Sequence, residues 1–393
     1  MRHFLHRQKT TFVFCLTTIV LIVLLNSCAT SNTTTKPNVS KQDKLDVIQS
    51  LNETISVVPS ATVTTSDDID WHVGVLPWDR FTLPSISPNG LHAAVQLGTH
   101  PSIDFLCGHS NTSVDSTTIE LHQLDPMRGK TTTPIVLEHS DLILCGSASN
   151  HSFLVEAPMG KNSRWIGTVD WSTGIISWIV SDNNLNAFPA MNIYGDIAWS
   201  QQPPKSKRFY LILMKNGKKQ IIDDGISDWI APTYVDSDRI RVYRLNKGKL
   251  DLVEIDLNAR EPLLTTISLT IMESGASRAT AWQIASTNPT MIGTNGHAFY
   301  HPLEERMVIW QPESFTETTS LTPYSIAAVP VSDESWLVAT DNRTLRQKVG
   351  DKDGIQLRNK LCIPIETTSK QWTHLMLIPD RNRLQVRAIN LSN

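Results

Sequence analysis

A single pattern, a polar turn flanked by two short strands of alternating apolar residues, returns about every 45 residues through most of this chain. A fixed period of that length constrains the fold more than any local motif. The copies are TIELHQLDPMRGKTTTPIVL, WIGTVDWSTGIISWIV, RFYLILMKNGKKQII, LDLVEIDLNAREPLL and AFYHPLEERMVIW. Their turns place Gly129, Gly174, Gly217, Arg260 and Arg306 at intervals of 45, 43, 43 and 46 residues. A looser sixth copy, LRQKVGDKDGIQL, carries Gly350 and Gly354.

A second strand pair with its own turn precedes most of these hairpins: LPSISPNGLHAAVQLG, APTYVDSDRIRVYRLN, SIAAVPVSDESWLVATDN and, at the end, MLIPDRNRLQVRAINLS. Four short strands per repeat, with Pro, Asp, Asn and Gly at the turns, predict an all-β fold of the β-propeller type. The period-2 alternation excludes a stack of helices. A β-sandwich stays open as an alternative, although nothing in a sandwich calls for one repeating interval.

SISPNG at Ser85 to Gly90, followed by LHAAVQ, resembles the Ser-Pro-Asp-Gly strand turn of TolB-type propellers, and IPDRNRLQVRAI is a degenerate second copy. VDWSTGIISW, Val169 to Trp178, resembles the Asp-x-x-Thr-Gly-x-x-x-Trp motif of pyrroloquinoline-quinone-type blades, as in BamB-like outer-membrane lipoproteins. The outer hairpins fall at about 120–137, 165–180, 208–222, 250–265, 298–311 and 344–358, and one further strand pair follows at 372–392. An open last blade would expose an unpaired edge, and N-terminal strands usually close it. The segment Trp71 to Trp78, with 53–64 as a further contributor, is the expected donor. Seven blades of four antiparallel strands follow, with six or eight as alternatives.

The N-terminus reads as an address. Arg2, Arg7 and Lys9 precede an apolar run from Thr11 to Leu25, the layout of a secretory signal over residues 1–27. That run is short of the roughly 20 residues a membrane-spanning helix needs. Its end, Leu25-Asn26-Ser27-Cys28, resembles the lipobox of bacterial lipoproteins, which implies lipidation of Cys28; the alternative is an uncleaved signal anchor. Ala29 after the cysteine implies, in lipoproteins of this type, the outer membrane. Residues 28–70, rich in Ser, Thr and Asn, read as a tether, and 71–393 as the propeller domain.

With 40% hydrophobic and 19% charged residues the body can bury a core. The net charge of -3, or -6 without residues 1–27, leaves no basic excess for a nucleic acid. Arg128-Gly129-Lys130-Thr131 ends like a phosphate-binding loop, but Leu124 stands where the first glycine is needed, so a hairpin turn is expected. Neither a nucleophile elbow nor a metal motif is present, and no catalytic residue, metal ligand or cofactor is assigned. His297 and His301 come closest to ligand spacing; a solvent-facing pair is the simpler reading. The tryptophans, among them Trp178 and Trp310 at equivalent hairpin positions, are expected to pack between blades, with an aromatic binding platform as the alternative. Cys107, in an extra loop at Thr99 to Ser116, and Cys145 are expected to form a disulfide, leaving Cys362 a buried thiol.

Three functions fit these readings. The first is a membrane-tethered, non-enzymatic scaffold in the cell envelope, facing the periplasm or the cell surface, that binds another envelope protein or a peptide. The second is a propeller enzyme or glycan-binding surface protein whose ionisable residues converge at one mouth of a central channel. The third is an envelope protein that has lost an ancestral activity.

Overall fold

The computed structural model describes residues 70–78, 83–98, 118–125, 129–137, 142–160, 162–259, 261–286, 297–301, 306–310, 319–321, 325–332, 335–340, 343–348, 354–358, 360–369 and 372–391. All belong to one compact unit, Ser66–Asn393. The expected signal, Cys28, nearly all of the tether, Cys107 and the loop at 99–116 lie outside the described residues.

The first strand, β1 (Asp70–Pro77), stands apart in sequence from the group it joins in space. The first strand group in chain order is β2 (Ser85–Ile86), β3 (His92–Leu97) and β4 (Thr118–Asp125), with β5 (Lys130–Thr131) and β6 (Ile135–Leu137) both pairing with β4. The second is β7 (Ile143–Ala148), β8 (Ser152–Pro158), β9 (Arg164–Asp170) and β10 (Ile176–Val180). The third is β11 (Leu185–Met191), β12 (Ile197–Gln202), β13 (Tyr210–Lys215) and β14 (Lys218–Ile222). A single parallel bridge, Leu185 to Arg164, links the second and third groups. The fourth is β15 (Asp228–Tyr234), β16 (Arg239–Asn246), β17 (Lys249–Asp256) and β18 (Ile267–Met272).

A helix, α1 (Arg278–Ser286), leads into the fifth group, β19 (His297–His301), β20 (Arg306–Trp310) and β21 (Thr319–Ser320). The sixth is β22 (Ser325–Ser332), β23 (Ser335–Thr340), β24 (Thr344–Lys348) and β25 (Ile355–Arg358). The seventh holds β26 (Ile363–Glu366), β27 (His374–Asp380) and β28 (Arg383–Ile389), and its fourth strand is β1.

The closure expected of Trp71 to Trp78 is therefore present. β1 runs antiparallel to β28 from Asp70 opposite Ile389 to Pro77 opposite Arg383, with a bulge between His72 and Gly74. β1 also leans on the first group: Thr131 Oγ1 donates to Val75 O at 3.3 Å. A Cβ on Gly74 would lie 2.8 Å from the Thr131 methyl, so only glycine fits there without a shift.

Burial follows the same circuit. Of eight apolar clusters among the described residues, seven each draw mainly on two consecutive groups. Ala94, Ile119 and Leu121 meet Phe153 and Val155; Leu154 and Ile166 meet Trp199 and Ile212; Leu211 and Leu213 meet Trp229 and Ile240. The last cluster joins Leu375 and Val386 of the seventh group to Ala93 and Leu124 of the first, with Val73 and Leu76 of β1 between them. Small antiparallel sheets packed face to face in chain order, the last on the first, are a propeller arrangement. Trp199, Trp229, Trp310 and Trp336 are fully buried in these faces, the packing role expected of them.

Three local features depart from the sequence expectations. The hairpin at 297–310 is not the outer pair of its group, because β21 pairs outside β20. The outer strand of the fourth group begins at Ile267, after a 3-10 turn at Pro262–Thr265, since Pro262 lacks the N–H a ladder needs. Helix α1 was not expected. Ser277 starts it: its Oγ accepts the Thr280 N–H at 3.1 Å while Thr280 Oγ1 accepts the Ser277 N–H at 3.2 Å, a reciprocal cap.

Candidate functional site

In a meander of four strands the first-to-second and third-to-fourth turns share one end, and the other loops share the opposite end. The first-to-second turns of the first four groups are built alike. Ser87 Oγ accepts the His92 N–H at 2.9 Å, and Asn89 Oδ1 accepts the Leu91 N–H at 3.0 Å. Ser149 Oγ accepts the N–H groups of His151 and Ser152 at 3.2 and 3.1 Å. Asn192 Oδ1 accepts those of Tyr194 and Asp196 at 3.0 and 2.9 Å. Asp236 Oδ1 accepts those of Asp238 and Arg239, both at 2.8 Å. A short polar side chain that mimics a backbone turn fixes each tip and spares it the entropy of a free loop.

Neighbouring tips are also tied to one another. The Asn89 N–H donates to Asn150 Oδ1 at 2.9 Å, and the Thr368 N–H donates to Pro88 O at 2.7 Å. Gly90 has φ +72°, and a Cβ there would lie 2.9 Å from Trp372 Nε1. The Ser-Pro-Asn-Gly turn singled out in the sequence thus wedges between the seventh and second groups. Beneath it His92 stacks on Trp171 at 5.7 Å, and Trp171 Nε1 donates to Ser149 O at 2.9 Å. Burial holds His92 below the usual histidine range, partly offset by the Asp170 carboxylate. Asp170 in turn sits low because the Ser172 hydroxyl, with the hydroxyl and amide of Thr173, binds its Oδ1.

On this end the turn Asn192–Asp196 carries the most exposed large apolar residue of the described body, Tyr194 at 74%, with Ile193 at 39% beside it. The Asn192 N–H also closes on Asp196 O at 3.0 Å, and Asn192 Nδ2 on Asp196 Oδ2 at 3.1 Å. The phenol is therefore displayed on a rigid support. No periodic pattern marks it in the sequence; its signal there is an aromatic inside Asn-Ile-Tyr-Gly-Asp, between two apolar strands.

Many of the strong charges elsewhere are occupied in joining strands. Arg164 Nη1 meets Glu156 Oε2 at 3.0 Å with both side chains buried, and Arg241 Nε meets Glu254 Oε2 at 2.7 Å. Arg208 holds Asp223 through two contacts, 2.7 and 3.2 Å, and Arg278 holds Asp228 through two, 3.0 and 2.8 Å. Polar side chains also latch one group to the next. Gln96 Oε1 accepts the Leu144 N–H at 2.8 Å, Glu156 Oε1 that of Phe188 at 2.9 Å, and Ser200 Oγ that of Ala231 at 3.1 Å. Phe188 and Ala231 have φ of 56° and 53°, each at a bulge before a proline. That backbone turns the amide out of its own ladder and toward the preceding group.

Cys145 stands as a free thiol, its Sγ 3.7 Å from Ile143 O and 3.9 Å from Glu156 Oε1. Burial first, and then the Glu156 carboxylate, push that thiol well above its usual range. Cys107 lies outside the described residues. Cys362 is a fully buried thiol, as expected, with its Sγ 3.7 Å from Lys360 O. Gly129 (φ 61°) stands just before β5, which Lys130 opens opposite Asp125, so a strand follows the phosphate-loop remnant. His297 and His301 both lie on β19, and the His301 ring packs near Phe299 at 6.3 Å. Among the described residues no three His, Cys, Asp or Glu side chains are placed to hold a metal ion, and no helix is long and apolar enough to cross a membrane.

No protein-family model matches this chain, and no curated protein does. Solved structures that resemble it include a putative TolB from Agrobacterium tumefaciens, 13% identical, covering 49% of this chain and 66% of that one with a TM-score of 0.35. TolB from Acinetobacter baumannii is 10% identical over 72% of this chain and 79% of its own, TM-score 0.37. Prolyl oligopeptidase B from Galerina marginata is 12% identical, TM-score 0.44, over 75% of this chain. The match spans 46% of that peptidase, less than half its length.

Proposed function

We propose that this chain is a lipid-anchored scaffold of the cell envelope, a seven-bladed propeller held at the outer membrane through Cys28, that docks another envelope protein or a peptide on its turn end. The observation that carries the reading is Tyr194, 74% exposed on a turn whose own side chains lock it. A rigid aromatic loses little freedom on contact and buries a large area, which is what anchor residues of protein interfaces do. The ion pairs described above favour a structural use of charge over a reactive one.

The test is a photo-crosslinking amino acid in place of Tyr194 in intact cells, with the same group in place of Ile355, on an outer strand, as the control. A discrete adduct from position 194, absent from position 355 and lost in a Cys28→Ala variant that leaves the membrane fraction, is expected. Equal adduct patterns from both positions would overturn the docking surface. Membrane retention of Cys28→Ala would overturn the lipid anchor.

A further inference from the structure

His374 opens β27 at the seam between the sixth and seventh groups, and its side chain is 3% exposed. Its Nε2 lies 2.8 Å from Pro330 O on β22, and its Nδ1 lies 2.8 Å from Thr373 Oγ1. A carbonyl only accepts, so Nε2 carries the hydrogen, and Nδ1 accepts from the Thr373 hydroxyl. The neutral ring is therefore satisfied at both nitrogens, and one of its bonds crosses the seam. In the sheet it stands opposite Ile389 of β28, and Ile389 stands opposite Asp70 of the closing strand.

A second proton would put a full charge on a ring shut away from water, and would rearrange its threonine partner. Nδ1–H would have to donate to Thr373 Oγ1, which already accepts the Leu391 N–H at 3.2 Å. The threonine hydrogen would have to swing to Ile389 O, 3.4 Å away. The charged groups on the packed elements are Arg346 and Lys348 on β24, Arg383 and Arg387 on β28, and Glu366 on β26, the last directly across from His374. β22 and β23 bring no ionisable side chain. Burial holds His374 below the ordinary histidine range; the bond to Pro330 offsets part of that, and Arg346 adds to it.

We propose that His374 is an acid-sensitive latch on the closure of the propeller: proton uptake by its ring loosens the seam between the sixth and seventh groups, and with it the strand β1 that completes the seventh. The sign follows from linkage. An opened seam gives His374 the ordinary value of about 6.5, so the open form binds more protons than the closed form in mild acid. Closure is fully stable above that value and weakens as the pH falls through it. One proton changes the opening equilibrium by at most about tenfold per pH unit.

Amide hydrogen exchange of the full chain, followed by mass spectrometry from about pH 7.5 to about pH 5.5 and corrected for intrinsic rates, reads this directly. Peptides from 70–77 and 374–389 are expected to open up to about tenfold more per unit below about pH 6.5, with 210–222 unchanged. In His374→Gln, whose side-chain amide can still donate to Pro330 O, the slope should vanish. An unchanged slope in that variant, or no slope in the unaltered protein, would overturn the latch. Exchange of the histidine C2 hydrogen in the unaltered protein covers a variant that fails to fold. A His374 midpoint at or above about 6.5 there would overturn it equally.

Discussion

Asn186, fully buried on β11, gathers polar groups from three directions. Its Oδ1 accepts Trp199 Nε1 at 3.0 Å and Gln201 Nε2 at 2.7 Å, and its Nδ2 donates to Arg164 O at 2.8 Å and Asp182 Oδ1 at 2.8 Å. Asn186→Leu would leave the indole N–H and the glutamine amide buried without this acceptor, at a cost of about 1–3 kcal/mol for each group left unmade. Chemical denaturation should show a loss of about 2–5 kcal/mol, whereas Asn184→Ala, whose side chain reaches only Asp182 two residues away, should cost under about 1 kcal/mol. Equal effects would mean that the network does not hold the third group. None of this was legible in the sequence. Asn186 sits among turn-forming Asp and Asn residues, and its partners become neighbours only after β11 and β12 pair. The tryptophans were better marked, because a large ring at a repeating strand position has little to do but fill the gap between sheets. The display of Tyr194 was hidden for the opposite reason: a single exposed aromatic leaves no periodic trace.

At the scale of elements, turns were legible and irregular joins were not. Gly174 and Gly217, chosen as repeat markers, have φ of 70° and 72°, the left-handed region that hairpin turns need and glycine enters freely. Asn216 shares that region at 51°, giving the two-residue Asn-Gly loop between β13 and β14. The repeat was therefore read from residues whose chemistry is local. Pro262 and the nine-residue helix α1 interrupt the repeat with signals too short to register as a period. The Ser277 and Thr280 cap was present in the sequence but had no apolar stripe behind it. Gly90 allows a test at this scale. Gly90→Ala must take a Cβ into the left-handed region, a strain of about 1–2 kcal/mol, and must also move Trp372. Thermal unfolding should show a loss of at least that size. Gly195→Ala, also at positive φ but with open space around its Cβ site, should show the backbone strain alone. A Gly90→Ala variant no worse than Gly195→Ala would mean that the turn is not wedged against the seventh group.

For the whole molecule the decisive contact is between residues more than 300 positions apart. β1 supplies the fourth strand of the last group, and its Val73 and Leu76 are fully buried between that group and the first. Truncation through Trp78 would strip β28 of its partner and return those two side chains to water. Burial of a Val or Leu side chain contributes about 1.5–3 kcal/mol, so the two alone represent about 3–6 kcal/mol. Ordinary domains are stable by only about 5–15 kcal/mol, and the exposed edge of β28 would add a route to self-association. A chain starting at Asp79 should thus melt earlier, lose its single sharp transition and aggregate, while one starting at Ser66 should melt as the full body does. The comparison isolates β1 from the tether, since both truncations lack residues 1–65. Identical melting of the two would show that the circuit of sheets is held by its six other seams and does not depend on this strand. Early melting confined to the shorter chain would place the stability of the whole circuit on the pairing of its two distant ends, and would make that joint the natural place for acid to act through His374.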